Sequence, residues 1–201
     1  MRIGIGLPIT TTEANGRRLL DWAGRAEERG FDSLTAIDRI VYPSFEPMAA
    51  LAGAAAVTSR VLLRTNVLLG PTRNPVLLAK QAATLDHLAG GRFVLGLCVG
   101  RRPDDYEATG TSFRDVGAVS TQHWSRWPLH GTGRRAPPTH PTTHPGGVPM
   151  VFGGALPIAL PRILAHGQGW TVAVRPAEEV APLVGELRTA WREGGGRASP
   201  R

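Results

Sequence analysis

A carboxylate and a guanidinium stand side by side at Asp38-Arg39, directly after the apolar run from Ser33 to Ile37. At a strand end such a pair could orient a substrate or a cofactor ring, or it could close the top of a sheet as a salt bridge. The residues leave both readings open. Gly153-Gly154-Ala155 lies between the apolar run Val148 to Phe152 and a helical stretch from Pro157. Glycines there let the backbone approach a phosphate, and a helix start supplies N–H groups, although an ordinary strand-to-helix turn uses the same residues. The pairs Gly4/Gly6 and Gly153/Ala155 never complete G-x-G-x-x-G, so the dinucleotide fingerprint is absent. Gly100, Arg101 and Arg102 follow the run Phe93 to Val99 and add cations at another strand end.

Several other residue types could carry chemistry. His140 and His144 have H-x3-H spacing, but they and His123 and His130 lie in a Pro/Thr-rich stretch without cysteine or nearby carboxylate, so no metal site is expected. His87 and His166 read as structural residues of helices. The single cysteine, Cys98, excludes an internal disulfide and a CxxC motif and reads as core. No Gly-x-Ser-x-Gly motif or Cys/His pair supports nucleophilic catalysis.

The elements that must position these residues repeat. Apolar runs begin at 3, 33, 61 and 93 (Ile3 to Leu7, Ser33 to Ile37, Val61 to Leu68, Phe93 to Val99), in steps of 30, 28 and 32 residues. That is the length of a βαβ unit, and near-continuous apolar runs suit strands covered on both faces. Between them, Thr12 can cap a helix from Glu13 to Glu28 with Leu19, Leu20, Trp22, Ala23 and Ala26 on its apolar side and Gly30 after it. A second helix carries Pro47 in its first turn. A third opens at Asn74-Pro75 and ends at Gly90-Gly91. Val148 to Phe152 and Trp170 to Val174 read as strands five and six, followed by helices from Pro157 to His166 and Ala177 to Arg192. The alternation predicts α/β architecture with a parallel sheet, either doubly wound or a barrel. Residues 116–148 are rich in Pro and Gly and show neither periodicity, which predicts an irregular insert; residues 194–201 read as a frayed tail. One domain over 1–201 follows. In either architecture the reactive groups belong at strand ends, which selects Asp38, Arg39, Asn66 to Gly70, Gly100 to Arg102 and Gly153 to Ala155.

Composition narrows the partners. Hydrophobic residues make up 42% and charged residues 19%, as in ordinary globular proteins. The net charge of +7 is almost all arginine, since Lys80 is the only lysine. The arginines are scattered without a basic helix face or interleaved aromatics, so an anionic small ligand uses this charge better than nucleic acid does. No apolar run approaches the roughly 20 residues of a membrane span, and the N-terminal apolar stretch is too short for a signal peptide. A cytoplasmic protein without membrane contact is expected.

Three blocks carry a family resemblance: GFDSLTAIDRIVYP at 30 to 43, SRVLLRTNVLLGPTRNPVLLAKQAATLDHLAGGRFVLGLCVG at 59 to 100, and RRPDDYEATG at 101 to 110. With GGVPMVFGGALPIALPRILAHGQGW at 146 to 170, the chain resembles the luciferase-like monooxygenase superfamily, particularly its deazaflavin-dependent branch. That resemblance implies a TIM-type (β/α) barrel, here incomplete with about six βα units. It implies FMN or the deazaflavin coenzyme F-420 as cofactor, hydride transfer or oxygen insertion on a small organic substrate, and a flavin reductase or deazaflavin-reducing enzyme as supplier. Mapped residue by residue, Asp38 and Arg39 would face substrate and ring. Asn66-Val67 would form a non-proline cis peptide behind the ring, with Leu68 beside it. The turn at Gly153-Gly154 would hold the phosphate, with Gly100 and Ala155 as further cofactor-binding residues. Arg101 completes the candidate catalytic set with Asp38 and Arg39.

The departures are specific. Relatives carry histidine after the aspartate where this chain has Arg39, and some carry an acid where it has Arg101, so the proton-transfer residue is unassigned. Gln168 stands for the family aspartate of the last block, and residues 116–145 show no likeness to the family. Six strands predict a barrel open between its first and last strands, with a partner such as a second copy covering the edges. A shortened, catalytically weak flavin-binding protein and an inactive truncated member are the alternative expectations.

Overall fold

The computed structural model describes residues 2–11, 15–114, 144, 147–173 and 175–194. Strands β1 (Gly4–Gly6), β2 (Ser33–Ala36), β3 (Leu62–Thr65), β4 (Leu68–Leu69), β5 (Phe93–Cys98), β6 (Met150–Gly153) and β7 (Trp170–Thr171) are all parallel. Their order is β1-β2-β3-β5-β6-β7, with β4 alongside β5. Helices α1 (Gly16–Glu28), α2 (Pro47–Val57), α3 (Pro75–Leu88), α4 (Pro103–Ala108), α5 (Leu156–His166) and α6 (Ala177–Glu193) fill the connections.

Side-chain alternation shows where the core sits. Leu34, Leu63, Phe93, Leu95, Leu97, Met150 and Phe152 form one cluster with Leu19, Ala23, Leu51, Ala54, Leu78, Ala82 and Ile163 from the helices. The alternate positions Thr35, Arg64 and Val94 lie in register across β2, β3 and β5 and stay outside that cluster. Among the described residues, helices therefore cover one face of the sheet and leave the other free of them. A doubly wound sheet would carry helices on both faces, so successive neighbours with one-sided helices make an incomplete TIM-type barrel. β1 pairs with β2 and β7 with β6, and neither has a second strand neighbour among the described residues.

The repeat is laid down as the apolar runs predict, with local corrections. The first helix starts at Gly16 with the Asn15 side chain accepting from Arg18 N–H, not at Glu13; Thr12 and Glu13 lie outside the described residues. Trp22 is exposed, because the buried stripe of that helix is Leu19, Ala23 and Ala26, and position 22 lies off it. The third run divides into β3 and β4 around a cis Asn66-Val67 peptide, the non-proline cis bond the resemblance implied. β6 extends through Gly153, so the turn proper begins at Gly154, and the last strand is only Trp170–Thr171; Val174 lies outside the described residues. α4 was not legible, because six residues beginning PDD carry no full period. Most of the insert predicted at 116–148, and most of the tail at 194–201, lie outside the described residues.

Candidate functional site

A cavity of about 450 Å³ opens at the carboxyl ends of β3, β5, β6 and β7, the position where parallel α/β sheets place ligands. That volume lies within the roughly 300–1,000 Å³ of small-molecule and cofactor sites. Its walls are Asn66-Val67, the loop Cys98 to Arg101, the turn Gly153 to Ala155, the α5 residues Ile158, Ala159 and Arg162, and Thr171 to Ala173.

Each wall has a local cause. Asn66 Oδ1 accepts from Thr171 Oγ1 at 3.0 Å, which ties the end of β3 to β7. A Cβ on Gly153 would sit 3.3 Å from Val67 Cγ2 and 3.4 Å from both Cys98 Cβ and Thr171 Cγ2, so a side chain there would occupy the cavity itself. Gly154 has φ of 125°, a conformation side chains resist, and its carbonyl accepts from Trp170 Nε1 at 2.9 Å. α5 then begins after Ala155 without a side-chain cap; Pro157 carries no N–H and Ile158 N–H donates to Ala155 O at 3.1 Å, so the N–H that the helix start offers a ligand is that of Leu156. Gly100 has φ of 71°, and a Cβ there would meet Leu69 Cδ2 at 2.6 Å.

The lining is cationic and holds no carboxylate or imidazole among the described residues. Neither Arg101, exposed at the mouth, nor the half-buried Arg162 has an ion pair or hydrogen bond among the described residues. Burial pushes the Arg162 pKa down, with the nearby Cys98 opposing. Cys98 is not core, as its apolar run led us to expect. It lines the cavity, and burial, opposed by an N–H from Gly100, pushes its thiol up to about 11, so it is protonated at neutral pH.

Two of the three candidate catalytic residues stand beside this cavity rather than in it. Asp38 is buried, accepts from Leu69 N–H at 2.8 Å and is held by Arg73 Nη1 at 2.6 Å and Nη2 at 3.2 Å. Arg39 Nε donates to Asp105 at 2.9 Å and its Nη2 to Asp104 at 3.3 Å, with the guanidinium 5.7 Å from the centre of the Tyr42 ring. Both residues of Asp38-Arg39 are thus held in ion pairs at the carboxyl ends of the strands. Arg101 does line the cavity. So do Asn66, Val67, Gly100, Gly153, Gly154 and Ala155, whereas Leu68 is buried in the core.

Sequence reasoning missed the partners. Asp105 accepts from Ile40 and Val41 N–H at 2.8 and 2.9 Å as well as from Arg39, and these bonds outweigh its burial to hold its pKa below the usual range. Tyr106 is buried and its hydroxyl donates to Val99 O. Arg73, Asp105 and Arg162 lack a motif of their own; only Arg162, a lone charge in the apolar stretch from Leu156 to Leu164, left a local signal. His144 contacts Gly91 O at 3.0 Å and Asp86 Oδ1 at 3.6 Å, while His123, His130 and His140 lie outside the described residues.

The family model described as luciferase-like monooxygenase matches residues 1–201. An uncharacterized protein of Mycobacterium tuberculosis is 29% identical over 212 residues, which cover 89% of this chain and 72% of that protein. The F420-dependent glucose-6-phosphate dehydrogenase of Kribbella flavida is 36% identical over 131 residues, covering 62% of this chain and 36% of the relative. Among solved structures, a monooxygenase from Streptomyces bottropensis superposes with a TM-score of 0.80 at 25% identity, over 99% of this chain and 68% of its own. The oxygenating constituent of 3,6-diketocamphane monooxygenase from Pseudomonas putida, in complex with FMN, gives 0.76 at 17% identity, over 100% of this chain and 64% of its own. With the parallel half-barrel, the cis Asn66-Val67 bond and the match along the whole chain, this protein belongs to the luciferase-like monooxygenase family.

Proposed function

We propose that the chain binds FMN or the deazaflavin coenzyme F-420 in the strand-end cavity and serves as an oxidoreductase on a small organic substrate. The observation that carries this is the cradle at Gly153: a Cβ there would stand within 3.4 Å of Val67, Cys98 and Thr171, beside an α5 start that no side chain caps. Such a cradle fits a phosphorylated ligand whose phosphate takes backbone N–H groups at a helix start. The Kribbella and Pseudomonas relatives, F420-dependent and FMN-bound by name, agree with that class. In this reading Gly153, Gly154 and Ala155 hold the phosphate, Asn66-Val67 backs the ring, Gly100 admits its edge and Arg101 guards the mouth. Asp38 and Arg39 act as positioning residues through Arg73 and Asp105. When bound, the ring supplies hydride transfer or oxygen activation, chemistry that belongs to the cofactor.

The lining offers two guanidiniums and a protonated thiol, none of which takes up a proton at neutral pH. That favours one second reading, a cofactor-binding protein of weak activity. A flavin reductase or a deazaflavin-reducing enzyme would supply reducing equivalents, and a second copy of the chain would cover the open edges of β1 and β7. Among the described residues no helix is long and apolar enough to cross a membrane.

Titration of the purified protein with FMN and with F-420, followed by cofactor fluorescence, tests the proposal. Binding of either cofactor is expected, with Gly153→Val weakening it at least 10-fold while circular dichroism stays unchanged. If both cofactors keep their free fluorescence in the presence of the wild type, the reading is wrong. Turnover by the loaded protein, set against binding alone, separates the enzyme from the weak binder.

A further inference from the structure

We infer that Arg162 is the side-chain arm of the phosphate site, pairing with the same phosphate that the Gly153-Gly154 turn and the start of α5 receive. The inference rests on the cofactor reading above and adds to it a residue that no motif singled out.

Three observations meet at this side chain. First, Arg162 lines the cavity from within α5, two turns beyond Ala155. Long helical side chains lean back toward the helix N-terminus, which brings an arginine at this position toward the uncapped first turn. Second, its guanidinium is half-buried yet has no carboxylate and no hydrogen-bond acceptor among the described residues. Every other arginine set into the loops around this mouth, except the exposed Arg101, is paired: Arg39 with Asp104 and Asp105, Arg73 with Asp38 and Glu46, Arg102 with Asp104. An arginine keeps its charge in proteins, so a half-buried guanidinium that opens on the cavity without a carboxylate partner is free to pair with an anionic ligand. Third, the cavity lining holds no competing anion among the described residues. The thiol it faces, Cys98, is protonated at neutral pH, and the cavity lining carries no carboxylate.

The chemistry selects a phosphate monoester or diester. The Leu156 N–H at the helix start and a planar guanidinium are separate donors, which a tetrahedral oxyanion can satisfy with separate oxygens. Arg101, exposed and on the β5 loop, remains free for a second part of the ligand.

The test compares FMN with riboflavin, which differ only in this group, and F-420 with its deazaflavin chromophore, which lacks the phosphate together with the anionic tail it carries. Binding is read by fluorescence in wild type, Arg162→Met and Arg162→Lys, with thermal melts to check folding. Wild type is expected to prefer FMN over riboflavin, or F-420 over its chromophore. Arg162→Met should weaken the phosphorylated member roughly 10- to 100-fold, the worth of a charge-assisted pair, and leave the other within about 2-fold. Arg162→Lys should recover part of the loss, and rising salt should weaken wild-type binding more than that of Arg162→Met. Equal losses for both members of a pair, or no loss for either, overturn the role of Arg162 while the cofactor reading stands. If Arg162→Met does not fold, the wild-type preference and its salt dependence decide alone, and a wild type indifferent to the phosphate overturns the inference. A wild type that binds none of the four overturns the cofactor reading and this one with it.

Discussion

Glu27 illustrates how much a single carboxylate does outside the site. It stands in the last turn of α1, and its oxygens accept from Ser59 N–H, Arg60 N–H, Val61 N–H and Ser59 Oγ at 2.7–3.2 Å. The chain entering β3 is thereby fixed against α1. Burial opposes the charge, but these donors outweigh it and bring the pKa to about 2 from 4.5. A depressed carboxylate contributes stability that is complete above its unfolded pKa and is lost as pH falls through the folded one. Acid unfolding followed by circular dichroism should therefore show a contribution fading between about pH 4.5 and pH 2 that Glu27→Gln lacks. At neutral pH the same variant should lose about 2 kcal/mol, the scale of several charge-assisted bonds removed together.

At the scale of the element, β3 is a strand with a conflict. Leu63 and Thr65 face the helices, whereas Arg64 faces the other side, where its Nε and Nη2 are buried without a hydrogen-bond partner among the described residues. Burial pushes its pKa down. Desolvating donors without compensation costs on the order of 1–3 kcal/mol, so an apolar side chain of similar length should do better. Arg64→Met is expected to raise Tm by about 2–4 °C, corresponding to roughly 1 kcal/mol for a chain of this size. An unchanged or lowered melting temperature would mean that another group satisfies the guanidinium in solution. Just beyond β3 the segments are instead well matched. Asp38 after β2 is locked to Arg73 after β4, and Arg39 to Asp105 on α4, so three loops share two ion pairs at the mouth. These pairs position the loops while the lining of the cavity comes from other residues.

For the molecule as a whole, the open sheet is the dominant physical fact. Among the described residues, β1 and β7 each leave one row of backbone N–H and C=O groups without a strand partner, and helices cover only one face. Exposed edges of a parallel sheet invite pairing with another chain. Light scattering over a range of concentrations should show a dimer, and a strictly monomeric protein would mean that the edges are protected some other way.

The repeat of about thirty residues, the buried face of each strand and the glycine turn after β6 were legible in the sequence. They depend on local periodicity and on what a glycine allows, which neighbouring residues are enough to reveal. The cis bond at Asn66-Val67 came through the family resemblance, and the structure has it there. Fold closure was not legible, because one-sided and two-sided helices leave the same period-2 and period-3.6 patterns in the chain. Nor were the partners of the charged residues. Asp38 and Arg39 looked like a site because they are adjacent in sequence, yet their ion pairs come from 35 and 66 residues away. Cys98 and Arg162, 64 positions apart, were read as core and as nothing in particular, and the tertiary structure brings both to one cavity. Local patterns set the elements. Which charges meet, and which arginine is left unpaired at the cavity, was decided by how β2, β5 and α5 come together in space.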